Sequence, residues 1–341
     1  MTAVTGTAVK ALLTSSTTVT VRPRYEGSNI GTWIGFKHIN YLIEEAVLDH
    51  FRQAGLPARG LYGDHGLGLD LVGLDTRILS SIHMDDEVRA EVRPFTRDGD
   101  ETIGFKVALH VERDGVDEKA ITSKVRVSLR IDDYLEPAAE VPAELAGYAV
   151  RKLGDDLDEK PAVTPAEVTA AVAEALSSRP AEADGTDPVL AALTAGQNAY
   201  AWKWRIGYPY CHFTERLQMS GYLRLMEEAK DRFVYDRGIS IKTLLDECKW
   251  IPAVPHSQIR ILDEARMEED LYTVYTVENI FKDFVYTSRM DCYVVRDGEL
   301  VLVATGKITH GYAVIENRRD WGLVSFDERV LAALRGDARS A

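Results

Sequence analysis

Residues 43–46 read Ile43-Glu44-Glu45-Ala46, and the chain repeats this pattern at Met226-Glu227-Glu228-Ala229. The same offset of 183 residues, which separates Glu44 from Glu227, aligns Arg113-Asp114-Gly115 with Arg296-Asp297-Gly298. Agreement at one fixed offset along about a hundred residues is the signature of an internal repeat. The sequence therefore predicts two copies of one domain.

Each copy predicts the same order of secondary structure: a strand, an irregular loop, a helix of about five turns and four further strands. Gly55 and Gly238 follow the predicted helices at 37–54 and 218–237, and glycine adopts the left-handed C-terminal cap at low cost. Both Arg-Asp-Gly tripeptides separate alternating apolar runs, which predicts hairpin turns. The predicted strands are 18–25 in copy one and 199–208, 251–262, 271–281, 286–295 and 300–315 in copy two.

The segment between the copies is rich in Ala, Pro, Asp and Glu. Within it, Thr164-Pro165-Ala166-Glu167 is a capping box with proline at the first helical position, which predicts a short helix ending near Ser178. Neither this connector nor the C-terminal tail, which we expect to be surface structure, carries a chemical motif. The predicted domains are 1–134, a connector at 135–197, 198–318 and a tail at 319–341.

The composition excludes several classes of protein. The 341 residues carry a formal net charge of −14, which disfavours a nucleic-acid partner because its phosphates would be repelled. No apolar run is long enough for a membrane span. Cys211, Cys248 and Cys292 fit neither a metal site nor a disulfide framework, so we expect a cytoplasmic protein without a metal or other cofactor.

A strand followed by one long helix and an antiparallel sheet resembles the hotdog fold. Two tandem copies resemble the double hotdog of plant acyl-carrier-protein thioesterases. Copy one contains His38-Ile39-Asn40-Tyr41-Leu42, which resembles the H-x-N-Y-L of 4-hydroxybenzoyl-CoA thioesterases, and copy two has a similar Y-L-x-x-x-E-x-A helix from Tyr222 to Ala229. The resemblance implies an α+β fold and hydrolysis of an acyl-CoA or acyl-carrier-protein thioester. It is also compatible with a homo-oligomer formed through the sheets.

The resemblance directs attention to acidic residues on the two central helices. The 4-hydroxybenzoyl-CoA type carries a catalytic Asp in the preceding loop, where this chain has Gly31 and His212. Other hotdog thioesterases carry the acid on the helix just before a small residue, and Glu44 and Glu227 match that placement. The helix acids would act as base or nucleophile, and the other candidates would orient water or substrate. The candidate catalytic residues are Asn29, His38, Glu44, His212 and Glu227.

Two other interpretations compete with hydrolysis. His212-Phe213, followed by Met219, Ser220, Gly221 and Leu223, is similar to the H-F-x5-M-P-G-x-L of beta-hydroxyacyl-carrier-protein dehydratases. That similarity implies that His212 removes a proton while a copy-one Glu protonates the leaving hydroxyl. The third interpretation is a non-catalytic acyl-binding or scaffold protein, in which the repeat serves architecture alone.

Aromatic residues cluster near both predicted helix starts, where they could line an apolar acyl tunnel or pack in the core. Basic side chains at Arg22, Arg24, Lys37, Arg318 and Arg319 could receive the phosphates of CoA or of a phosphopantetheine arm. The candidate substrate-binding residues are Trp33, Phe36, Tyr41, Tyr210, Phe213, Glu215 and Tyr222.

Overall fold

The computed structural model describes residues 6–97, 99–137, 139–154, 166–177, 187–211, 213–317 and 321–337. The chain divides into two compact units, each built around one copy of the repeat. Unit 1 consists of Met1–Asp158, Gln218–Ser220 and His256–Ile261, and unit 2 consists of Glu159–Leu217, Gly221–Pro255 and Leu262–Ala341.

Unit 1 combines one long helix with an antiparallel sheet. Its elements are α1 (Gly6–Thr14), β1 (Thr17–Val21), α2 (Phe36–Gln53), α3 (Ala58–His65), β2 (Leu67–Ile78), β3 (Val88–Pro94), β4 (Ile103–Arg113), β5 (Val116–Ile131) and β6 (Ala149–Val150). The strand order is β1-β3-β4-β5-β2, and residues 256–260 pair antiparallel with β2. The short β6 pairs parallel with β5.

The apolar face of α2 holds this helix against the sheet of unit 1. Ile39, Ile43 and Val47 recur at helical spacing, and all three are buried. Farther along the helix, the ring of Phe51 meets the ring of Phe105 on β4 edge-on, with 5.8 Å between their centroids. Burial of each such side chain contributes about 1.5–3 kcal/mol, so this face anchors α2 in place.

Unit 2 contains the second copy of the same arrangement. The remaining elements are α4 (Ala166–Ser177), α5 (Pro188–Thr194), β7 (Ala199–Arg205), α6 (Met219–Asp236), α7 (Ile241–Cys248), β8 (Trp250–Ile261), β9 (Asp270–Phe281), β10 (Val285–Arg296), β11 (Glu299–Ile315), β12 (Trp321–Val324) and α8 (Glu328–Arg335). Within unit 2 the strand order is β11-β10-β9-β7, with β12 paired to β11. The ring of Phe233 on α6 lies 5.1 Å from that of Tyr275 on β9, so α6 packs on this sheet as α2 does on its own.

The two copies agree in structure as the repeat predicts. α6 begins and ends 183 residues after α2, and β8 is offset from β2 by the same number. Arg113 holds Asp86 by two hydrogen bonds of 2.7 and 2.5 Å, and Arg296 holds Glu269 by two of 2.9 and 2.8 Å. Both predicted hairpin turns are present, and the Asp and Gly of each Arg-Asp-Gly have positive φ.

The first strand of each copy is shorter than predicted, ending at Val21 and at Arg205. Pro23 has no N–H to extend the first ladder, and Gly207 leads into a tight turn after the second. The short helices α3 and α7, which follow the two central helices, were not predicted from the sequence. These differences lie in the connections and leave the order of the long elements unchanged.

The predicted surface tail is in part a structural element of unit 2. β12 joins the sheet beside β11, and Val330, Leu331 and Leu334 of α8 are buried. The expectation of surface structure is therefore wrong for this segment, because its apolar helix face packs inward. In the connector, α4 occupies most of the predicted helix, whereas the capping residues Thr164 and Pro165 lie outside the described residues.

Among the described helices, none combines the length and the apolar character needed to cross a membrane.

Candidate active site

Glu44 is the most chemically distinctive of the predicted catalytic residues. It lies half-buried on α2, and within the described residues its carboxylate has no hydrogen-bond or ion-pair partner. Burial, together with the like charge of Glu45, raises the pKa of Glu44 from 4.5 to about 7. A carboxyl group that titrates near neutral pH can both accept and donate a proton, as general acid–base catalysis requires.

Asn40, one turn before Glu44, belongs to a buried polar network that sequence reasoning missed. Its amide Nδ2 donates to the carbonyl of Phe36 at 2.9 Å, and its Oδ1 accepts from the hydroxyl of Thr76 at 2.7 Å. The Thr76 hydroxyl also lies 2.8 Å from that of Ser123 on β5. The hydroxyl of Ser257 lies 3.5 Å from Asn40 Nδ2, within the same unit. The network fixes α2 on the sheet at the level of Glu44.

Replacement of Asn40 tests this positioning role. Asn40→Leu introduces the residue type found at the equivalent position 223 of copy two. It is expected to lower the free energy of unfolding by about 1–3 kcal/mol, because the buried partners lose their hydrogen bonds. Urea unfolding measures the change, with Asn29→Ala in the exposed loop as the control. Equal stability of the two variants would contradict a structural role for the network.

His38 and Tyr41 lie together at the start of α2. Their rings meet edge-on with 5.1 Å between centroids, and His38 Nε2 lies 3.8 Å from a carboxylate oxygen of Glu26. The Tyr41 hydroxyl donates to the carbonyl of Ser220 at 3.2 Å, within unit 1. Tyr41 precedes Glu44 by three residues, so the two side chains lie on neighbouring parts of one helix face.

The loop that precedes α2 is folded on itself. The exposed side chain of Asn29 accepts from the N–H of Ile30 at 2.9 Å, and the Asn29 N–H donates to the carbonyl of Trp33 at 2.7 Å. Trp33 is buried, with its ring 5.9 Å from that of His83, and Phe36 is buried at the first position of α2. In this structure Asn29 shapes the loop, and the two aromatic residues belong to the core.

Gly31 is required by the shape of this loop. Its φ is +99°, and a Cβ there would lie 2.4 Å from Cζ3 of Trp33. Gly31→Ala is expected to cost about 2–4 kcal/mol of stability, through backbone strain and this clash. Gly115→Ala is the control, because φ is +78° there and the added Cβ would meet no described atom within 4 Å. Equal losses in thermal denaturation would contradict a contribution from the Trp33 contact.

Glu227 does not share the surroundings of Glu44. Its side chain is exposed. Where copy one has Asn40 and Tyr41 before the acid, α6 has Leu223 and Arg224. The two helix acids occupy equivalent positions in the repeat but differ in burial. The flanking residues of copy two do not reproduce the polar network around Asn40, and the Glu227 side chain is exposed.

The adjacent acids Glu45 and Glu228 are engaged in surface ion pairs. Glu45 lies 3.3 Å from Arg52, and Glu228 lies 2.7 Å from Arg232. Exposed pairs of this kind contribute about 0–1 kcal/mol. Both residues therefore act as solvated helix side chains, consistent with their lying about 100° around the helix from Glu44 and Glu227.

The loop of copy two contains several predicted site residues. His212 lies outside the described residues. Phe213 and Glu215 are exposed, and Glu215 has a φ of +64°. Tyr210 is half-buried with its ring 5.0 Å from that of Trp204, whereas Tyr222 is fully buried in α6. The structure thus places Tyr222 in the core and Phe213 at the surface.

Of the predicted phosphate-binding side chains, Arg22 is engaged by Glu87 at 2.5 Å, and Arg318 and Arg319 lie outside the described residues. Within the described residues, no group of three or more His, Cys, Asp or Glu side chains could hold a metal ion.

No protein-family model and no curated protein sequence matches the chain. Its fold is similar to that of solved structures. A 12:0-ACP thioesterase from Umbellularia californica shares 11% sequence identity, with 86% of this chain and 93% of that chain covered and a TM-score of 0.54. An acyl-ACP thioesterase from Bacteroides thetaiotaomicron shares 9% identity, with 86% of this chain and 97% of that chain covered and a TM-score of 0.51.

Similarity at this level of identity concerns the fold and leaves the reaction open. The matches extend over nearly the whole of both solved chains. Each unit of this protein also has the long helix and antiparallel sheet that the repeat predicts. The α+β double-hotdog prediction is confirmed, and the chain has the fold of these acyl-ACP thioesterases.

Proposed function

We propose that the protein hydrolyses acyl thioesters, with Glu44 of α2 as the general base. The observation that carries this proposal is the half-buried Glu44 carboxyl, whose pKa is raised to about 7 by burial. The fold shared with acyl-ACP thioesterases supports the choice of a thioester substrate. The substrate carrier is coenzyme A or an acyl-carrier protein.

The reaction follows from the chemistry of one carboxylate beside a thioester. Ionised Glu44 accepts a proton from water as the water oxygen forms a bond to the thioester carbonyl carbon. Collapse of the tetrahedral intermediate breaks the carbon–sulfur bond, and the proton held by Glu44 passes to the leaving sulfur. The products are a carboxylic acid and a free thiol, and Glu44 returns to its ionised form.

The start of α2 supplies a polar environment for the carbonyl oxygen. The N-cap residue of α2 is Gly35, which has no side chain to cap the first helical turn. Backbone N–H groups at a helix start carry partial positive charge, which stabilises negative charge developing on an oxygen. We propose that the partial positive charge at this helix start stabilises the carbonyl oxygen, with His38 and Tyr41 positioning the substrate.

Release of free thiol, with mass spectrometry of the acyl product, tests the reaction. The substrates are acyl-CoA, acyl-carrier-protein and beta-hydroxyacyl thioesters of graded chain length, and His212→Ala is assayed beside the parent. Stoichiometric thiol and carboxylic acid support hydrolysis. Loss of one water from the hydroxyacyl substrate without thiol release, dependent on His212, would replace the proposal by dehydration. Absence of both reactions across the panel would favour a binding or scaffold protein.

A further inference from the structure

Unit 2 contains a buried group of polar side chains between α6 and its sheet, here called the polar cluster. Each of its six members is at most 4% exposed. They come from four elements: one from α6, one from β9, two from β10 and two from β11. The members are Lys230, Tyr275, Tyr286, Ser288, His310 and Tyr312.

The cluster is held together by ring contacts. Tyr286 and His310 are opposite each other in the β10–β11 ladder, and their rings stack with 4.9 Å between centroids at an angle of 25°. The ammonium of Lys230 lies 5.4 Å from the ring centroid of Tyr312. The Tyr275 ring lies 6.4 Å from that of His310. Tyr275 also interacts with Ser288, and Tyr286 with Tyr312, so the six side chains form one contiguous group.

The polar atoms of the cluster lack ordinary hydrogen bonds. Within the described residues, Lys230 Nζ and both ring nitrogens of His310 have no hydrogen-bond partner. The three tyrosine hydroxyls and Ser288 Oγ also miss normal hydrogen-bond geometry. These hydroxyls nevertheless interact with one another: Tyr275 with Ser288 and Tyr286, and Tyr286 with Tyr312. A buried polar group without a partner costs about 1–3 kcal/mol, and a charged group costs more. The Lys230 ammonium and the two ring nitrogens of His310 are therefore the groups that call for an additional binding partner.

The fold does not require polar residues at these positions. The equivalent positions of copy one, 183 residues earlier, hold only apolar side chains, all fully buried. Strand register agrees between the copies, because Tyr286 pairs with His310 as Ile103 pairs with Val127. The copy-one residues are Val47, Val92, Ile103, Phe105, Val127 and Leu129. Copy two therefore has polar groups where copy one has a complete apolar core patch.

The charge of the cluster is positive. Burial lowers the pKa of Lys230 to about 8, so the amine is still mainly protonated at neutral pH. Burial and the neighbouring Lys230 lower the pKa of His310, so its imidazole is neutral. The two acids that act on Lys230, Asp231 and Glu227, are its neighbours on α6 and have exposed side chains. The interior of the cluster therefore presents one cation and several N–H and O–H donors.

We propose that the polar cluster binds a small monovalent anion, a carboxylate or a halide, held by Lys230 and the surrounding hydroxyls. An anion would neutralise the buried ammonium and accept hydrogen bonds from several donors at once. This site is independent of thioester hydrolysis, and it distinguishes the core of unit 2 from that of unit 1.

The test uses the full-length protein and chloride as the probe. The width of the chlorine-35 NMR signal is recorded with the parent, with Lys230→Met and with Lys242→Met, an exposed α7 lysine that pairs with Asp246. We expect excess broadening with the parent and with Lys242→Met, and at least a tenfold higher Kd with Lys230→Met. Competition with formate identifies the preferred anion. Displacement of chloride by formate at concentrations below the chloride Kd assigns the site to carboxylates. Displacement only at formate concentrations above that Kd assigns the site to halides.

Two controls keep the test decisive. Tyr312→Phe removes one hydroxyl with little change of volume, and we expect it to weaken binding severalfold even if Lys230→Met fails to fold. Absence of excess broadening with the parent would overturn the proposal. Unchanged broadening with a folded Lys230→Met variant would also overturn it. If Lys230→Met does not fold, unchanged broadening with a folded Tyr312→Phe variant would overturn it.

Discussion

Glu44→Gln is expected to lower kcat for thioester hydrolysis about 10²–10⁴-fold, the usual contribution of a positioned general base. Glutamine keeps the shape of the side chain but cannot accept a proton from water. The measurement is steady-state thiol release at saturating substrate. Two control variants isolate the effect: Glu45→Gln alters the adjacent exposed acid, and Glu227→Gln alters the exposed counterpart in copy two.

The pH dependence of kcat provides a second readout of the same group. Activity should rise with pH through about 7, as Glu44 loses its proton. Glu45→Gln should move this rise to lower pH while keeping the plateau rate, because it removes a like charge that raises the pKa of Glu44. Full activity of Glu44→Gln would exclude it as the base. An equal loss in Glu227→Gln alone would transfer the role to copy two.

The same substitution, Glu44→Gln, should also have a large effect on stability, and this effect is a gain where the effect on activity is a loss. Glu44→Gln should raise the free energy of unfolding by up to about 3 kcal/mol at pH 8, by the conversion of 1.36 kcal/mol per pKa unit. The folded protein holds the Glu44 proton more tightly than the unfolded chain, since its pKa is raised from 4.5 to about 7. The parent therefore loses stability as pH rises through this interval, whereas the glutamine variant does not.

Urea unfolding of parent and variant at pH 5 and pH 8 measures this difference. The advantage of Glu44→Gln should fall below about 1 kcal/mol at pH 5, where the parent carboxyl is protonated in the folded state. Glu45→Gln should show no comparable gain, because the Glu45 side chain is exposed and pairs with Arg52. An equal gain in the stability of Glu44→Gln at both pH values would mean that desolvation of the ionised Glu44 carboxylate is not the cause of that gain. Stability gained with activity lost would mark Glu44 as a residue kept for function.

Much of the fold could be predicted because its signals are local in the chain. The fixed offset between Glu44 and Glu227 identified the repeat, and helical spacing identified α2 and α6 to within one residue at each end. The Arg-Asp-Gly turns were predicted because positive φ at Asp and Gly is a property of a few adjacent residues. The short helices and the buried face of α8 were missed, because they are stabilised by packing that a local pattern does not encode.

The candidate site was predicted only in part. Glu44 was identified, but the sequence gives Glu44 and Glu227 the same local motif and so could not rank them. They differ in burial, since the Glu44 side chain is half-buried and the Glu227 side chain is exposed. The network from Asn40 to Thr76 and Ser123 joins residues 36 to 47 positions apart, so no local spacing predicts it.

By itself, the sequence determined the repeat, the order of the long elements and the pair of helix acids, because each depends on residue types at short or constant spacing. Only the tertiary structure decided which acid is half-buried and which polar groups lack partners. Burial and hydrogen bonding depend on strands brought together from distant parts of the chain, as Lys230, Tyr286 and His310 illustrate. Desolvation in that packed interior is the physical reason that one of two similar glutamates acquires a pKa near neutrality.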